Sequence, residues 1–319
     1  MNRSLSPQDV RRVHQNLKTV FFENENFTRV HSIIEENIAD ALTAREAGEL
    51  TETRGVAVLG CSGAGKTASV LHSLSELGFE RTKVGDRDRP YLLVRLSANA
   101  SLKAVSADCL AEIGWRARMQ DSARSIWQEV THYMRELNTF ILVLDEIQHV
   151  RTTGANDRAA LRDFLKSLVQ PSQNMVVPIV IGMEEFREVL VSDEQLRRRY
   201  DQVHVRALSP VEDLKETVQT LDRYASKAGL SLDSSVMSRD FAERLLHASN
   251  FAFGEMCSIC VAGIRRTLLG GSATIKLSHF QEAYNRRADC VPALNPFIAA
   301  DFQNIKPTDQ TIDPNKRAV

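Results

Sequence analysis

The chain has 319 residues, 43% hydrophobic and 25% charged, enough to bury one large or two small cores, which excludes a disordered or collagen-like protein. With 40 Lys and Arg against 41 Asp and Glu the formal net charge is -1, so no global positive field draws the chain to nucleic acid or acidic membrane. Any DNA binding must come from a local patch or from an assembly.

In chain order, residues 8–47 read as a helical preamble, with Val30, Ile33, Ile34, Ile38, Ala41 and Leu42 at helical spacing. The run Val56 to Leu59 then reads as a strand, followed by a glycine-rich loop and a second helix-period stretch. Tyr91 to Ala98 reads as a strand, and helices are expected at about Leu102 to Ile113 and Ser122 to Leu137. Phe140 to Leu144 predicts a strand buried on both faces. A helix over DRAALRDFLKSLVQ, a strand over MVVPIVIGM and a short helix over SDEQLRRRY complete the alternation. Strands alternating with helices predict an α/β fold with a parallel sheet covered on both faces and its reactive loops at the carboxyl ends of the strands.

Beyond Pro210 four helical stretches follow one another as a separate small domain, and the prolines from Pro292 onward predict an extended tail. The expected organisation is a helical segment over 1–48, an α/β core over 49–208, a helical domain over 209–290 and a tail over 291–319. The first residues hold no apolar signal core, no run reaches the roughly 18 apolar residues of a membrane helix, and the five cysteines are thinly spread. A cytoplasmic location without membrane attachment is expected.

The chemistry is concentrated in two segments. Gly60-Cys61-Ser62-Gly63-Ala64-Gly65-Lys66-Thr67 is G-x-x-x-x-G-K-T, in which small residues let backbone N–H groups fold around phosphates at a helix N-terminus that continues into Ala68. Lys66 is expected to reach the β- and γ-phosphates of ATP, and the Thr67 hydroxyl to ligate Mg²⁺. Phe140 to Leu144 ends in Asp145-Glu146, where the first carboxylate holds Mg²⁺ and the second activates the attacking water. The pair Cys257/Cys260 has CxxC spacing, but it lies in an apolar helix without companion ligands and reads as structural. His149 reads as a partly buried loop histidine, and Phe21-Phe22 as packing against the core.

GCSGAGKT and FILVLDEIQHV, followed by VVPIVIGM, DEQLRRRY and a helical domain, resemble an AAA+ ATPase: a P-loop parallel-sheet three-layer core with a C-terminal helical lid. RLSANASLKAVSADCLAEIG, DEIQHV, VPIVIGMEE and QLRRRY bring the likeness, over roughly residues 20 to 265, to the TniB/TnsC/MuB-like DNA transposition regulators. The resemblance implies an ATPase that oligomerises as a ring or helical filament on double-stranded DNA, without sequence preference, when ATP is bound. It further implies recruitment or activation of a DDE transposase, a target-selection partner of TniQ type, and disassembly on ATP hydrolysis.

An arginine from the neighbouring subunit completes the site in that class. Arg197, Arg198 and Arg199 point about 100° apart on a helix, and the arginine-then-aromatic pattern favours Arg199, with Arg198 next. The resemblance also points to Lys103, Arg116 and Arg118 as DNA phosphate contacts. Two positions depart from the pattern. The end of the fourth strand reads Ile181-Gly182-Met183-Glu184, leaving Glu184 or nothing as the polar sensor, and Phe253-Gly254-Glu255-Met256 lacks the lid arginine. Slow hydrolysis, suited to a switch rather than a motor, is expected. Two alternatives remain: a replication-initiator or helicase-loader ATPase, for which the roughly thirty residues after Cys290 leave little room for a winged-helix domain, and a STAND-like signalling ATPase acting through protein contacts.

Overall fold

The computed structural model describes residues 6–49, 51–170 and 176–305, which fall into two compact units. One comprises Glu23–Ser62 and Lys66–Arg206; the other comprises the chain up to Phe22, Gly63–Gly65 and the chain from Ala207 onward. In chain order the elements are α1 (Pro7–Lys18), α2 (Glu25–Glu46), β1 (Gly55–Gly60), α3 (Lys66–Glu76), β2 (Tyr91–Arg95), α4 (Leu102–Ile113), α5 (Ala123–Glu136) and β3 (Ile141–Asp145). They continue with α6 (Ala155–Val169), β4 (Val177–Gly182), α7 (Arg187–Val191), α8 (Glu194–Arg199), β5 (Tyr200–Val205), α9 (Leu214–Lys227) and β6 (Ser231–Leu232). The last are α10 (Arg239–Ala248), α11 (Phe253–Leu269), β7 (Thr274–Ile275) and α12 (Leu277–Ala288).

The first unit is built on a five-stranded parallel sheet in the order β2-β3-β4-β1-β5. Every residue of β1, β3 and β4 is buried, as continuous apolar runs in a covered parallel sheet require. After β1 the chain crosses to β2 at the sheet edge and returns through β3 and β4 to the strand it left. That reversal makes the carboxyl end of β1 a topological switch point, where open α/β sheets hold their ligands. Four of the strands match the apolar runs in the sequence. The fifth, β5, was not expected. It is an edge strand in which Asp201, Gln202 and His204 remain partly exposed between buried Tyr200, Val203 and Val205, so no apolar run marks it.

The expected single preamble over 1–48 is instead divided. Val10 and Leu17 of α1 are buried in the helical unit, and Phe22 meets Tyr224 edge-on at 4.6 Å, so Phe22 packs there and not on the sheet. The Asn24 side chain accepts from the Phe27 N–H at 2.9 Å and caps the start of α2. From there Phe27, Val30, Ile34 and Ile38 are buried, and α2 packs on α3, β1 and β5.

The helical unit is organised around α11, which packs against α1, α9, α10 and α12 over a core that includes Leu221, Phe241, Ile264, Phe280 and Phe297. Burial pushes the Cys257 thiol up to about 12 and Cys260 well above its ordinary value, as inert core cysteines.

The expected tail is corrected over residues 291–305, which fold onto this unit. Asn295 is fully buried, its amide donating to the Gln281 carbonyl at 3.0 Å and to Asn285 Oδ1 at 2.6 Å. Arg244 Nη1 donates to the carbonyls of Pro296 and Ala299, both at 2.7 Å, and its guanidinium stacks 4.5 Å over Phe302. Buried polar anchors, invisible to periodicity, hold a segment whose prolines read as loop. Residues 306–319, expected to continue that tail, lie outside the described residues. Among the described residues no single helix is long and apolar enough to cross a membrane.

Candidate functional site

The loop after β1 carries the first group of side chains. Gly63 and Gly65 have φ of +74° and +94°, left-handed conformations that glycine adopts without steric cost and that turn successive N–H groups to one side. Lys66, the first residue of α3, is half-buried and donates from Nζ to the carbonyls of Gly60 at 2.9 Å and Cys61 at 2.7 Å. Burial holds its pKa below the usual lysine range, against the opposing pull of Cys61, Glu146, Asp145 and Glu184.

The second group stands at the carboxyl end of β3. Asp145 is only 2% exposed, and its carboxylate accepts from Thr67 Oγ1 at 3.1 and 3.2 Å, joining the start of α3 to β3. The Glu146 N–H donates to Asp145 Oδ1 at 3.0 Å, and Arg95 Nη2 lies 3.6 Å from Asp145 Oδ2. Glu146 has φ +61° and ψ +42°, a left-handed conformation that costs a non-glycine residue about 1–2 kcal/mol and turns its side chain out of the strand direction. Its carboxylate accepts from Gln148 Nε2. Glu184, after β4, accepts from His204 Nδ1 at 3.0 Å.

These groups fit a magnesium nucleotide. Left-handed glycines aim N–H groups as a phosphate nest does, Lys66 supplies a cation, and the Thr67 hydroxyl and Asp145 carboxylate are adjoining hard oxygen donors of the kind Mg²⁺ takes.

The three arginines of α8 differ in their surroundings. Arg199 donates from Nη2 to Glu52 Oε1 at 2.5 Å, Arg198 pairs with Glu194 four residues earlier, and exposed Arg197 has no ion-pair partner among the described residues. Elsewhere on the sheet unit, Lys103 Nζ donates to the Met119 carbonyl at 2.7 Å. That bond brings Lys103 to the turn holding exposed Arg116 and Arg118, which line a hollow of about 480 Å³ with Trp115 and Tyr133, stacked at 5.2 Å.

Comparison with known proteins identifies the chain. The family described as bacterial TniB protein matches residues 25–209, more than half of the sequence. The chain belongs to the TniB family. No curated protein matches it by sequence. Among solved structures, the Orc1 protein of Aeropyrum pernix in complex with DNA aligns at a TM-score of 0.62 and 16% identity, over 88% of this chain and 71% of that one. The Aeropyrum pernix ORC2 protein, in ADPNP–ADP complexes, aligns at 0.52 and 14% identity, over 79% of this chain and 66% of that one. Cdc6p of Pyrobaculum aerophilum aligns at 0.51 and 13%, with the same coverage of 79% and 66%. At these identities the likeness concerns the fold, which is that of the AAA+ ATPases.

In this TniB chain the structure brings Gly60, Cys61, Lys66 and Thr67 together with Asp145 and Glu146, and it bonds Lys103 to the Met119 carbonyl, next in sequence to Arg118. It ties Arg199 to Glu52. Sequence patterns alone did not single out Gln148, Glu52 or Arg95. Only Gln148 had a signal, its place two residues after the paired carboxylates. His149 is a partly buried loop residue whose Nδ1 donates to the Leu96 carbonyl at 3.3 Å.

Proposed function

We propose that this TniB protein is a Mg²⁺-dependent ATPase that oligomerises on double-stranded DNA when ATP is bound. The DNA-bound assembly, ring or filament, recruits or activates a DDE transposase with a target selector of TniQ type, and hydrolysis disassembles it. The observation that carries this reading is the Thr67–Asp145 hydrogen bond of 3.1 Å, which joins P-loop helix and carboxylate strand at the sheet's switch point beside Lys66 and Glu146. Membership of the TniB family supports the role in transposition. In this reading residues 49–208 form the ATPase core and 209–290 the lid.

The residues divide the work. The N–H groups of Gly60 to Ala68 and the Lys66 ammonium hold the phosphates, exchanging the present Lys66–carbonyl bonds for charge-assisted ones. Thr67 and Asp145 hold Mg²⁺, which neutralises negative charge on the phosphate oxygens when bound. Glu146 orients the attacking water and accepts its proton. Arg199 acts on the neighbouring subunit's nucleotide, which requires its guanidinium to leave Glu52; Arg198 stands next in line. Slow hydrolysis suits a switch.

Arg199→Ala is expected to leave ATP binding by the isolated subunit within about twofold and to lower assembly-stimulated hydrolysis about a thousandfold. Glu52→Ala, which removes the partner and keeps the guanidinium, retains that hydrolysis. Equal activity of native and Arg199→Ala assemblies contradicts the assignment.

Lys103, Arg116 and Arg118 track DNA phosphates, so affinity depends steeply on salt. Replacing all three by Ala is expected to flatten the slope of log K against log salt by roughly 0.9 for each phosphate no longer neutralised. An unchanged slope removes these residues from the DNA interface. The proposed function as a whole is tested by strand transfer with purified transposase: target DNA is used when native protein and ATP are present and is ignored with ADP.

A further inference from the structure

The fourth strand of the sheet ends without the polar side chain expected there, and Glu184 does not fill the gap. Residues Val177–Gly182 are buried and, apart from Pro178 and Gly182, aliphatic; Met183 is apolar; and Glu184, half-exposed, is engaged with His204 of β5. A polar group nevertheless stands at that strand end, and it comes from another element. The Met183 N–H donates to Gln148 Oε1 at 3.2 Å, while Gln148 Nε2 donates to Glu146.

The orientation of this carboxamide is dictated by its partners: a backbone N–H can only donate, so it selects the oxygen, and a carboxylate accepts, so it selects the nitrogen. Gly182 permits the approach. A Cβ there would lie 2.6 Å from Ile147 Cγ2 and 3.3 Å from Gln148 Oε1, forcing the turn off the strand end. Glu146, meanwhile, sits in a left-handed conformation that leaves its carboxylate beside the same amide.

We infer that Gln148 is the positioning residue for Glu146, bridging its carboxylate to the Met183 N–H and so supplying from the turn after β3 the polar contact that the end of β4 lacks. The inference rests on the hydrolytic role of Glu146 proposed above. Gln148 acts through Glu146: it fixes one carboxylate oxygen and leaves the other to the attacking water. It also makes the carboxylate's position depend on the end of β4.

The test uses the full chain with two substitutions. Gln148→Leu keeps most of the volume and removes both bonds; Gln148→Glu keeps an acceptor for Met183 and sets a like charge against Glu146. Both are expected to lower kcat by about 10- to 100-fold while ATP affinity, read with a fluorescent analogue, changes less than threefold. On a Glu146→Gln background, Gln148→Leu has no further effect on kcat, because the pair acts as one unit. Hydrogen exchange at the Met183 amide, a readout independent of turnover, accelerates in Gln148→Leu and stays near native in Gln148→Glu.

Native kcat in Gln148→Leu overturns the inference, as does a fall in kcat that tracks weakened nucleotide affinity or a lowered Tm. Additive effects of the two substitutions overturn it as well, since Gln148 would then act independently of Glu146. A native chain that binds ATP without hydrolysing it overturns the hydrolytic reading of Glu146 first and the positioning role with it, an outcome distinct from active native protein with an inert Gln148→Leu change.

Discussion

Lys66→Ala is expected to bind ATP about a hundredfold more weakly than the native chain and to form no nucleotide-dependent assembly on DNA. The size follows from charge-assisted hydrogen bonds to phosphate, each worth about 1.5–3 kcal/mol, where 1.4 kcal/mol is tenfold in affinity. Burial already disfavours the charged Lys66, and its Nζ is spent on the carbonyls of Gly60 and Cys61. An arriving phosphate restores the charge balance and takes over those bonds, so the interaction is stronger with nucleotide than without. Calorimetric titration with a native Tm as control measures the change, and affinity within threefold of native contradicts the role assigned to Lys66.

Glu146→Gln separates holding ATP from cleaving it. The amide matches the carboxylate in shape and still accepts from Gln148, so the turn and nucleotide affinity are retained. The proton acceptor is lost, and general-base removal typically costs 10²- to 10⁴-fold in rate. Hydrolysis is therefore expected to fall by at least a hundredfold while DNA-bound assemblies outlast native ones by a similar factor. Single-turnover kinetics and dissociation after dilution into ADP check both halves. Native hydrolysis in this variant removes Glu146 from the chemistry, and assemblies that disperse at the native rate contradict hydrolysis-driven release.

What the sequence disclosed depended on whether the determining interaction was local. Val56 to Leu59, Phe140 to Leu144 and the β4 run announce buried strands because a covered parallel sheet needs uninterrupted apolar residues. The P-loop was legible because its glycines and Lys66 act within a few residues of one another. β5 was not legible, since an edge strand keeps Asp201 and His204 at the surface and its pairing with Gly55–Gly60 is fixed by tertiary structure. The same holds for residues 291–305, anchored by Arg244 and Asn295, and for α1, whose Val10 and Leu17 belong to a core formed mainly by residues two hundred positions later.

The site divides in the same way. The adjacency of Thr67 and Asp145 was expected from chemistry, whereas the pairing of Arg199 with Glu52, 147 residues apart, required the fold. Gln148 is the instructive case. Its neighbour Glu146 identified itself by position after an apolar strand, but its own significance lies in a hydrogen bond from Met183, 35 residues away, across two parallel strands.

The most direct test of the central claim, that ATP binding switches this TniB protein into a DNA-bound assembly, is electron microscopy of the purified chain with duplex DNA. Samples contain a non-hydrolysable ATP analogue, ADP or no nucleotide, at low and moderate salt, with Lys66→Ala beside the native protein. The account predicts rings or filaments on DNA only for native protein with the ATP analogue, thinning as salt rises. Analogue binding without DNA-bound assembly at any salt, or equal assembly with ADP and in Lys66→Ala, would contradict it.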